Sequence, residues 1–291
     1  MEKKQYTADV LLFFVAATWG LTFTVIKNAL GDISPFTFNS LRFLLAGVFM
    51  ALISGQRLKN INRKAVISGI LIGLFLFGGY SFQTIGLKYT TASNSGFITG
   101  LAVVFVPILV TLLTRKLPTL FALTGVIFAG VGLYFLSFEK SFSLNFGDFL
   151  TLLSAVFFAL HVVAVGKFSP EYDTPSLVTI QILTVAVING LIALITEPLP
   201  GSITTPVWMA LLVCAIPATS LAYLIQNWAQ KFTTPTRTVI ILSMEPVFSA
   251  LFAFLLLAEQ MTARDYAGAA LMLAGILIAE LKTPGVETER T

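Results

Sequence analysis

The chain has 291 residues, 56% of them hydrophobic and 11% charged, with a formal net charge of +4 and a mean hydropathy of +0.89. Soluble domains carry roughly a quarter charged residues, so the composition excludes a soluble globular protein and describes an integral membrane protein. The positive charge does not signal nucleic acid, because Lys and Arg lie in short gaps between apolar runs, where they act as topology signals. The lone cysteine, Cys214, excludes an internal disulfide and a cysteine-based metal cluster.

In chain order, ten apolar runs are long enough, or nearly so, to cross a bilayer core that needs about 20 helical residues. They cover 8 to 27, 35 to 54, 65 to 87, 92 to 114, 119 to 137, 147 to 167, 175 to 196, 206 to 229, 236 to 257 and 263 to 281. Helices are required, because lipid offers exposed backbone N–H and C=O groups no partner, and no run alternates with the period of a barrel strand. The first run follows Lys3 and Lys4 and contains Ala16-Ala17, as a cleaved signal peptide would, but its counterpart in the second half marks it as part of a repeat. Ser34-Pro35 and Thr174-Pro175 each offer a hydroxyl N-cap followed by proline at the first helical position. Thr262-Ala-Arg-Asp265 reads as a capping box before the tenth run. Lys27, Lys88 and Lys231 sit at run ends as anchors, and Glu259 lies just before the tenth run, where a helix N-terminus favours a carboxylate.

The stretch Tyr80 to Thr91 recurs 143 residues later as Tyr223 to Thr234. Tyr80, Gln83, Lys88, Thr90 and Thr91 meet identical residues at that offset, and shared apolar composition does not explain identities that are mostly polar. Downstream, Phe105 falls on Phe248, Thr119 on Thr262, Gly125 on Gly268 and Gly132 on Gly275. Upstream the offset is 140, pairing Lys27 with Lys167 and Pro35 with Pro175. Such self-similarity is the mark of a duplicated unit. The expected organisation is a first repeat over 1–137, a connecting loop over 138–146, a second repeat over 147–282 and a cytoplasmic tail over 283–291.

Orientation follows from Lys and Arg. With the N-terminus cytoplasmic, thirteen basic residues face inward and only Lys27, Lys88, Lys140 and Arg264 face outward, Arg42 lying within the second run. That bias places both termini in the cytoplasm. Each half holds five runs, an odd number, so the two copies enter the membrane with opposite orientation, an arrangement that lets one site face each side in turn.

Several of these residues resemble the drug/metabolite transporter superfamily, in its EamA-type members. They are Trp19-Gly20 with Lys27, Pro35 with Arg42-Phe43, Thr90-Thr91-Ala92-Ser93-Asn94, Glu245-Pro246-Val247-Phe248 and Glu259, with Gly268 and Gly275 in the last run. The resemblance spans the whole chain and implies an all-α integral membrane fold of ten transmembrane helices as a 5+5 inverted repeat. It implies a carrier, often an exporter, of small organic metabolites such as amino acids or related compounds. Its cavity is formed mainly by spans one to four and six to nine, and no cofactor or metal is implied. Two departures stand out: Val103 occupies a place that commonly holds proline, with Pro107 one turn later, and Ala159 stands where the first repeat has Trp19.

Glu245 is an ionisable group deep in the ninth run, which costs at least a few kcal/mol and so faces a cavity or a partner. It either binds a cationic substrate group or a coupling proton, or pairs with a basic residue or with backbone freed by Pro246. Arg42 either holds a substrate carboxylate, pairs with Glu245, or snorkels outward. His161 offers a group suited to proton coupling, or a hydrogen bond to a neighbouring helix. Tyr80 and Gln83, like Tyr223 and Gln226, share a helix face and either line a midplane pocket or act as interhelical polar glue. Asn94, Thr99, Gln181, Asn227 and Ser243 are further polar candidates, and Trp19 with Phe23 form a candidate aromatic gate. Gly125, Gly130, Gly132, Gly268 and Gly275 permit close helix approach, within the chain or between protomers.

The leading expectation is a secondary active or facilitative transporter of the plasma membrane working by alternating access, as monomer or homodimer. Its expected partners are a small-molecule substrate, the lipid bilayer and, in one option, a coupling proton. The alternative is multidrug or cation efflux with proton antiport through Glu245. A membrane-embedded enzyme is disfavoured, because one His, one Cys and few buried carboxylates offer little material for a catalytic constellation. No phosphate-cradling loop is present for ATP, no ring of like charge suggests a channel, and the gap from Gly55 to Lys64 is too short for a receptor domain.

Overall fold

Apolar runs of this length leave the backbone one way to satisfy its own polar groups, and the chain is helical along nearly all of its described residues. The structure, a computed structural model, describes residues 2–137, 145–257 and 262–280. Most of the connecting loop, Glu259 and the tail lie outside them, as do the side chains of Asn94 and Asp265. In order the helices are α1 (Glu2–Ala29), α2 (Pro35–Ser54), α3 (Arg63–Tyr89), α4 (Ala92–Gly100), α5 (Ala102–Thr114), α6 (Leu120–Ser137) and α7 (Phe146–Phe168). They continue as α8 (Thr174–Thr196), α9 (Thr205–Ala215), a π-helical turn (Ile216–Leu221), α10 (Ala222–Ala229), α11 (Pro235–Leu242), α12 (Glu245–Leu257) and α13 (Ala263–Glu280).

Among the described residues, seven helical segments are long and apolar enough to cross a membrane. The fifth and tenth runs of the sequence carry the shorter apolar stretches Leu120–Phe135 and Tyr266–Ile278, and the ninth is broken into α11 and α12. The fourth run is also broken, between α4 and α5. The breaks, at Leu101 and Met244, lie 143 residues apart and so occupy equivalent places in the two halves. With Val103 rather than proline beside it, the first break still forms. Pro107 sits inside α5, while Pro246 lies in the first turn of α12, where a missing N–H is tolerated.

Helix packing repeats across the halves. α6 lies on α13 and α2 on α8; α3 packs on α7 as α10 packs on α1, and α1 on α12 as α7 on α4 and α5. A Cβ on Gly132 would lie 2.6 Å from the Gly268 carbonyl, and one on Gly275 would lie 2.8 Å from that of Gly125. These four glycines therefore bring α6 and α13 together within one chain. Gly130 meets nothing closer than 4.0 Å.

The helix ends use different partners from those the sequence suggested. Ser34 makes no side-chain cap; instead the Phe36 and Thr37 amides donate to the Glu197 carboxylate at 2.9 and 2.7 Å, a cap supplied from the end of α8. The α8 cap is Asp173, one residue before Thr174, accepting from the Ser176 amide. Asn145 and Asp148 form a capping box at the start of α7. Lys27 is more than an anchor, because its ammonium donates to the Leu87 and Thr90 carbonyls at the end of α3. Lys231 donates to the Tyr172 carbonyl at 2.8 Å, and partial burial pulls its ammonium pKa below the ordinary lysine range, with the Asp173 carboxylate opposing.

Near one end of the bundle Asp9 of α1 and Arg237 of α11 form a buried bidentate ion pair, at 2.6 and 3.2 Å. The outer faces carry bare apolar side chains, among them Leu52, Leu112 and Ile195, the surface that hydrocarbon rather than water solvates.

Candidate functional site

The two helix breaks open onto one cavity with about 630 Å³ of free space, its mouth included. Its wall takes Trp19 and Thr22 from α1, Tyr80 and Gln83 from α3, Thr99 from α4, and Gly100 and Ala102 at the first break. The second half contributes Phe158, His161 and Val162 from α7, Tyr223 and Gln226 from α10, Val239 and Leu242 from α11, and Ser243 and Glu245 at the second break. The helices α2 and α8 stand behind this wall, so six rather than eight of the sequence's spans line the space.

Tyr80 and Tyr223, equivalent residues of the two halves, meet hydroxyl to hydroxyl at 2.9 Å. Their rings lie edge to face, with centroids 6.3 Å apart. Trp19 packs on Tyr223 at 5.4 Å and Phe158 on Tyr80 at 5.2 Å, spacings typical of favourable aromatic pairs. Behind Tyr80 lies Arg42, with 0% of its surface exposed. It donates from Nη2 to the Tyr80 hydroxyl at 3.2 Å and from Nε to the Thr219 hydroxyl at 2.8 Å, and its guanidinium carbon sits 4.5 Å from the Tyr80 ring centre. It therefore neither snorkels outward nor touches Glu245.

The π turn explains how Thr219 reaches Arg42. Pro217 has no N–H to donate, and the widened turn lets Thr219 and Ser220 donate to the carbonyls of Cys214 and Ala215, five residues back. The same turn presents the Ala218 carbonyl to the Trp19 indole N–H at 2.8 Å. Single π turns inside α-helices mark functional sites often enough to make this placement notable.

His161 lies on the wall, and its Nε2 donates to Gln181 Oε1 at 2.9 Å. Gln181 passes the bond to Asn227 Oδ1 at 3.2 Å, and Asn227 to the Tyr223 carbonyl at 2.9 Å. This relay ties α7 and α8 to α10 and gives the histidine a hydrogen-bonded structural partner. Gln83 donates to Thr99 at 3.0 Å. Its counterpart Gln226 donates to Gln230 at 3.2 Å, and among the described residues the Gln226 carbonyl oxygen is buried without a partner. The difference follows from the sequence, because Leu242 occupies the second-half place of Thr99. Glu245 opens α12, where the helix N-terminus favours its charge. Among the described residues no hydrogen bond or ion pair engages its carboxylate.

Of the sequence's candidates, Trp19, Tyr80, Gln83, Thr99, His161, Tyr223, Gln226, Ser243 and Glu245 come together on the wall. Arg42, Gln181 and Asn227 form a layer behind it. Phe23 is 2% exposed in an apolar cluster with Ile26, Phe38 and Leu211, so it does not face the cavity as a gate with Trp19. The Asn94 side chain lies outside the described residues. Sequence reasoning passed over Thr22 and Phe158, each three residues from a recognised wall residue and so on the same helix face, and Leu242, the repeat partner of Thr99.

The EamA-like transporter family matches residues 6–138 and again 145–281. The chain belongs to the EamA-like transporter family. It is 38% identical over 280 residues to an uncharacterized transporter of Archaeoglobus fulgidus, covering 96% of this chain and 87% of that protein. The uncharacterized transporter YyaM of Bacillus subtilis is 26% identical over 95% of this chain and 94% of its own length. A solved crystal structure superposes with a TM-score of 0.79, covering 95% of this chain and 97% of that one, at 18% identity, a likeness of fold. This EamA-like protein is thus a multi-pass membrane transporter, and the cavity is its candidate substrate site.

Proposed function

We propose that this transporter is an alternating-access carrier of small organic metabolites, built from ten membrane crossings in two inverted halves, with both termini in the cytoplasm of a plasma-membrane protein. The observation that carries this reading is the bond between Tyr80 and Tyr223 on the cavity wall. Equivalent residues that touch lie at the axis relating their halves, and a solute site on that axis is one that rocking of the halves can expose to either side. The equivalent breaks at Leu101 and Met244 support it, since interrupted helices at membrane depth occur where they line a cavity. The family match over 6–138 and 145–281 supports repeats over 1–137 and 147–282.

The test is a ligand-stabilisation screen of the purified protein, followed by counterflow of each hit in liposomes with and without a pH gradient. Saturable counterflow of a stabilising metabolite is expected; stabilising ligands that never exchange across the bilayer contradict the reading. A second reading, cation efflux with proton antiport through Glu245, is favoured by a wall carboxylate that no hydrogen bond or ion pair engages among the described residues. It requires Glu245→Gln to abolish gradient-driven accumulation while leaving counterflow, and equal loss of both, or of neither, counts against it.

A further inference from the structure

Asp9 and Arg237 belong to different halves and clasp at one end of the bundle. Arg237 donates from Nη2 to Asp9 Oδ2 at 2.6 Å and from Nε to Oδ1 at 3.2 Å, and the two side chains keep only 11% and 6% of their surface exposed. Both ride on helices that line the cavity further along, α1 through Trp19 and α11 through Val239 and Leu242. Along α1 the rise from Asp9 to Trp19 is about 15 Å, and Leu12, Ala16 and Val239 belong to one buried apolar cluster on the way. The same end of α1 has a second hold on the other half, since the Lys4 ammonium stands 5.3 Å from the centre of the Phe232 ring.

The pair has no equivalent at the opposite end. The repeat offsets carry Asp9 onto Phe149 and Arg237 onto Asn94; neither bears a charge, and Phe149 is 52% exposed. There the start of α7 is tied to the end of α3, by the Thr90 hydroxyl donating to Asp148 at 2.5 Å and by Gly147 set against the Gly86 carbonyl. One end of the bundle thus joins the halves through an ion pair, and the other does so without one.

A buried ion pair differs from apolar packing in what happens when it parts. In water each charge is solvated again, so the desolvation lost on closing is recovered and the pair roughly breaks even. Apolar surfaces that part instead expose area, at a cost that grows with that area. An ion pair therefore shuts a path in a fixed register and lets it reopen. Removing one partner tips the balance, because the remaining charge is stranded only while the path is shut.

We propose that Asp9 and Arg237 form the latch of the cytoplasmic gate, paired while the cavity is closed to the cytoplasm and parted into water when α1 and α11 separate. The proposal rests on the carrier reading and its orientation, and it assigns the gating residues of one side.

The experiment is labelling of the full-length transporter with a membrane-impermeant maleimide, in membrane vesicles of each orientation. The reporter is Val239→Cys on the cavity wall, in a Cys214→Ala background. Asp9→Asn should raise the rate from the cytoplasmic face at least about tenfold and lower the rate from the external face. Arg237→Gln should do the same, and the exchanged pair, Asp9→Arg with Arg237→Asp, should return both rates to within about twofold of the parent. Unchanged rates overturn the proposal, as do rates that rise from both faces together, which is what a loosened fold gives. A folded exchanged pair that keeps the rates of the single variants also overturns it. Rates that answer the variants in a protein without counterflow leave the latch standing and remove the carrier reading; counterflow with rates the variants do not move removes the latch alone.

Discussion

Arg42 shows how a charge can be buried in this molecule with no ion partner among the described residues. Its Nη2 and Nε bonds go to Tyr80 and Thr219, and truncating either acceptor strands a donor in a low dielectric, which costs about 1–3 kcal/mol per group. Tyr80→Phe removes a direct Arg42 acceptor, whereas Tyr223→Phe removes only a hydroxyl bonded to Tyr80, an exchange worth about 0.5–1.5 kcal/mol. Thermal unfolding of the two variants in one detergent should therefore rank Tyr80→Phe as the less stable; the reverse order contradicts this assignment of bonds. The sequence made Tyr80, Gln83 and their counterparts visible because polar identities survive at a fixed offset. It gave no means of ranking the three fates of Arg42, since burial behind an aromatic wall leaves no trace in spacing. Phe23 misled because a one-turn separation from Trp19 specifies a helix face only loosely, and that face turns from cavity to core within the turn.

Between elements, distances of closest approach separate the glycines that matter from those that do not. Gly275 abuts the α6 backbone, so Gly275→Leu must push α6 and α13 apart, while Gly130→Ala has room. Overpacking typically costs about 1–3 kcal/mol, and melting of the purified variants should show that loss for Gly275→Leu and little change for Gly130→Ala. Equal effects would mean that the helices do not pack through these faces. The Asp9–Arg237 pair permits a second test. Removing one partner of a buried pair costs about 3–5 kcal/mol, whereas replacing both with apolar residues is far less harmful. A double-mutant cycle with Asp9→Leu and Arg237→Met should thus give strong positive coupling, and simple additivity would contradict the pair. The helices themselves were legible from apolar length, but their irregularities were not. The break at Leu101 forms without local proline, and the α2 cap comes from Glu197, distant in sequence; both depend on tertiary neighbours that no local pattern encodes.

At the scale of the whole molecule, duplication was the most readable feature, since an offset in polar residues does not depend on knowing the fold. The structure adds that the equivalent tyrosines touch and that both breaks reach one cavity. What remained out of reach of the sequence was asymmetry: a π turn in the second half only, Arg42 behind one tyrosine, and a His161–Gln181–Asn227 relay behind the other. The central claim, that the halves are inverted, has a direct measurement. Cys214 is buried, so single cysteines placed at Asp32 and Glu171, exposed in the corresponding α1–α2 and α7–α8 connections, can be labelled in intact cells with a membrane-impermeant maleimide. Labelling of Asp32→Cys from outside, with Glu171→Cys labelled only after the membrane is opened, is the predicted result; labelling of both from the same side would contradict it.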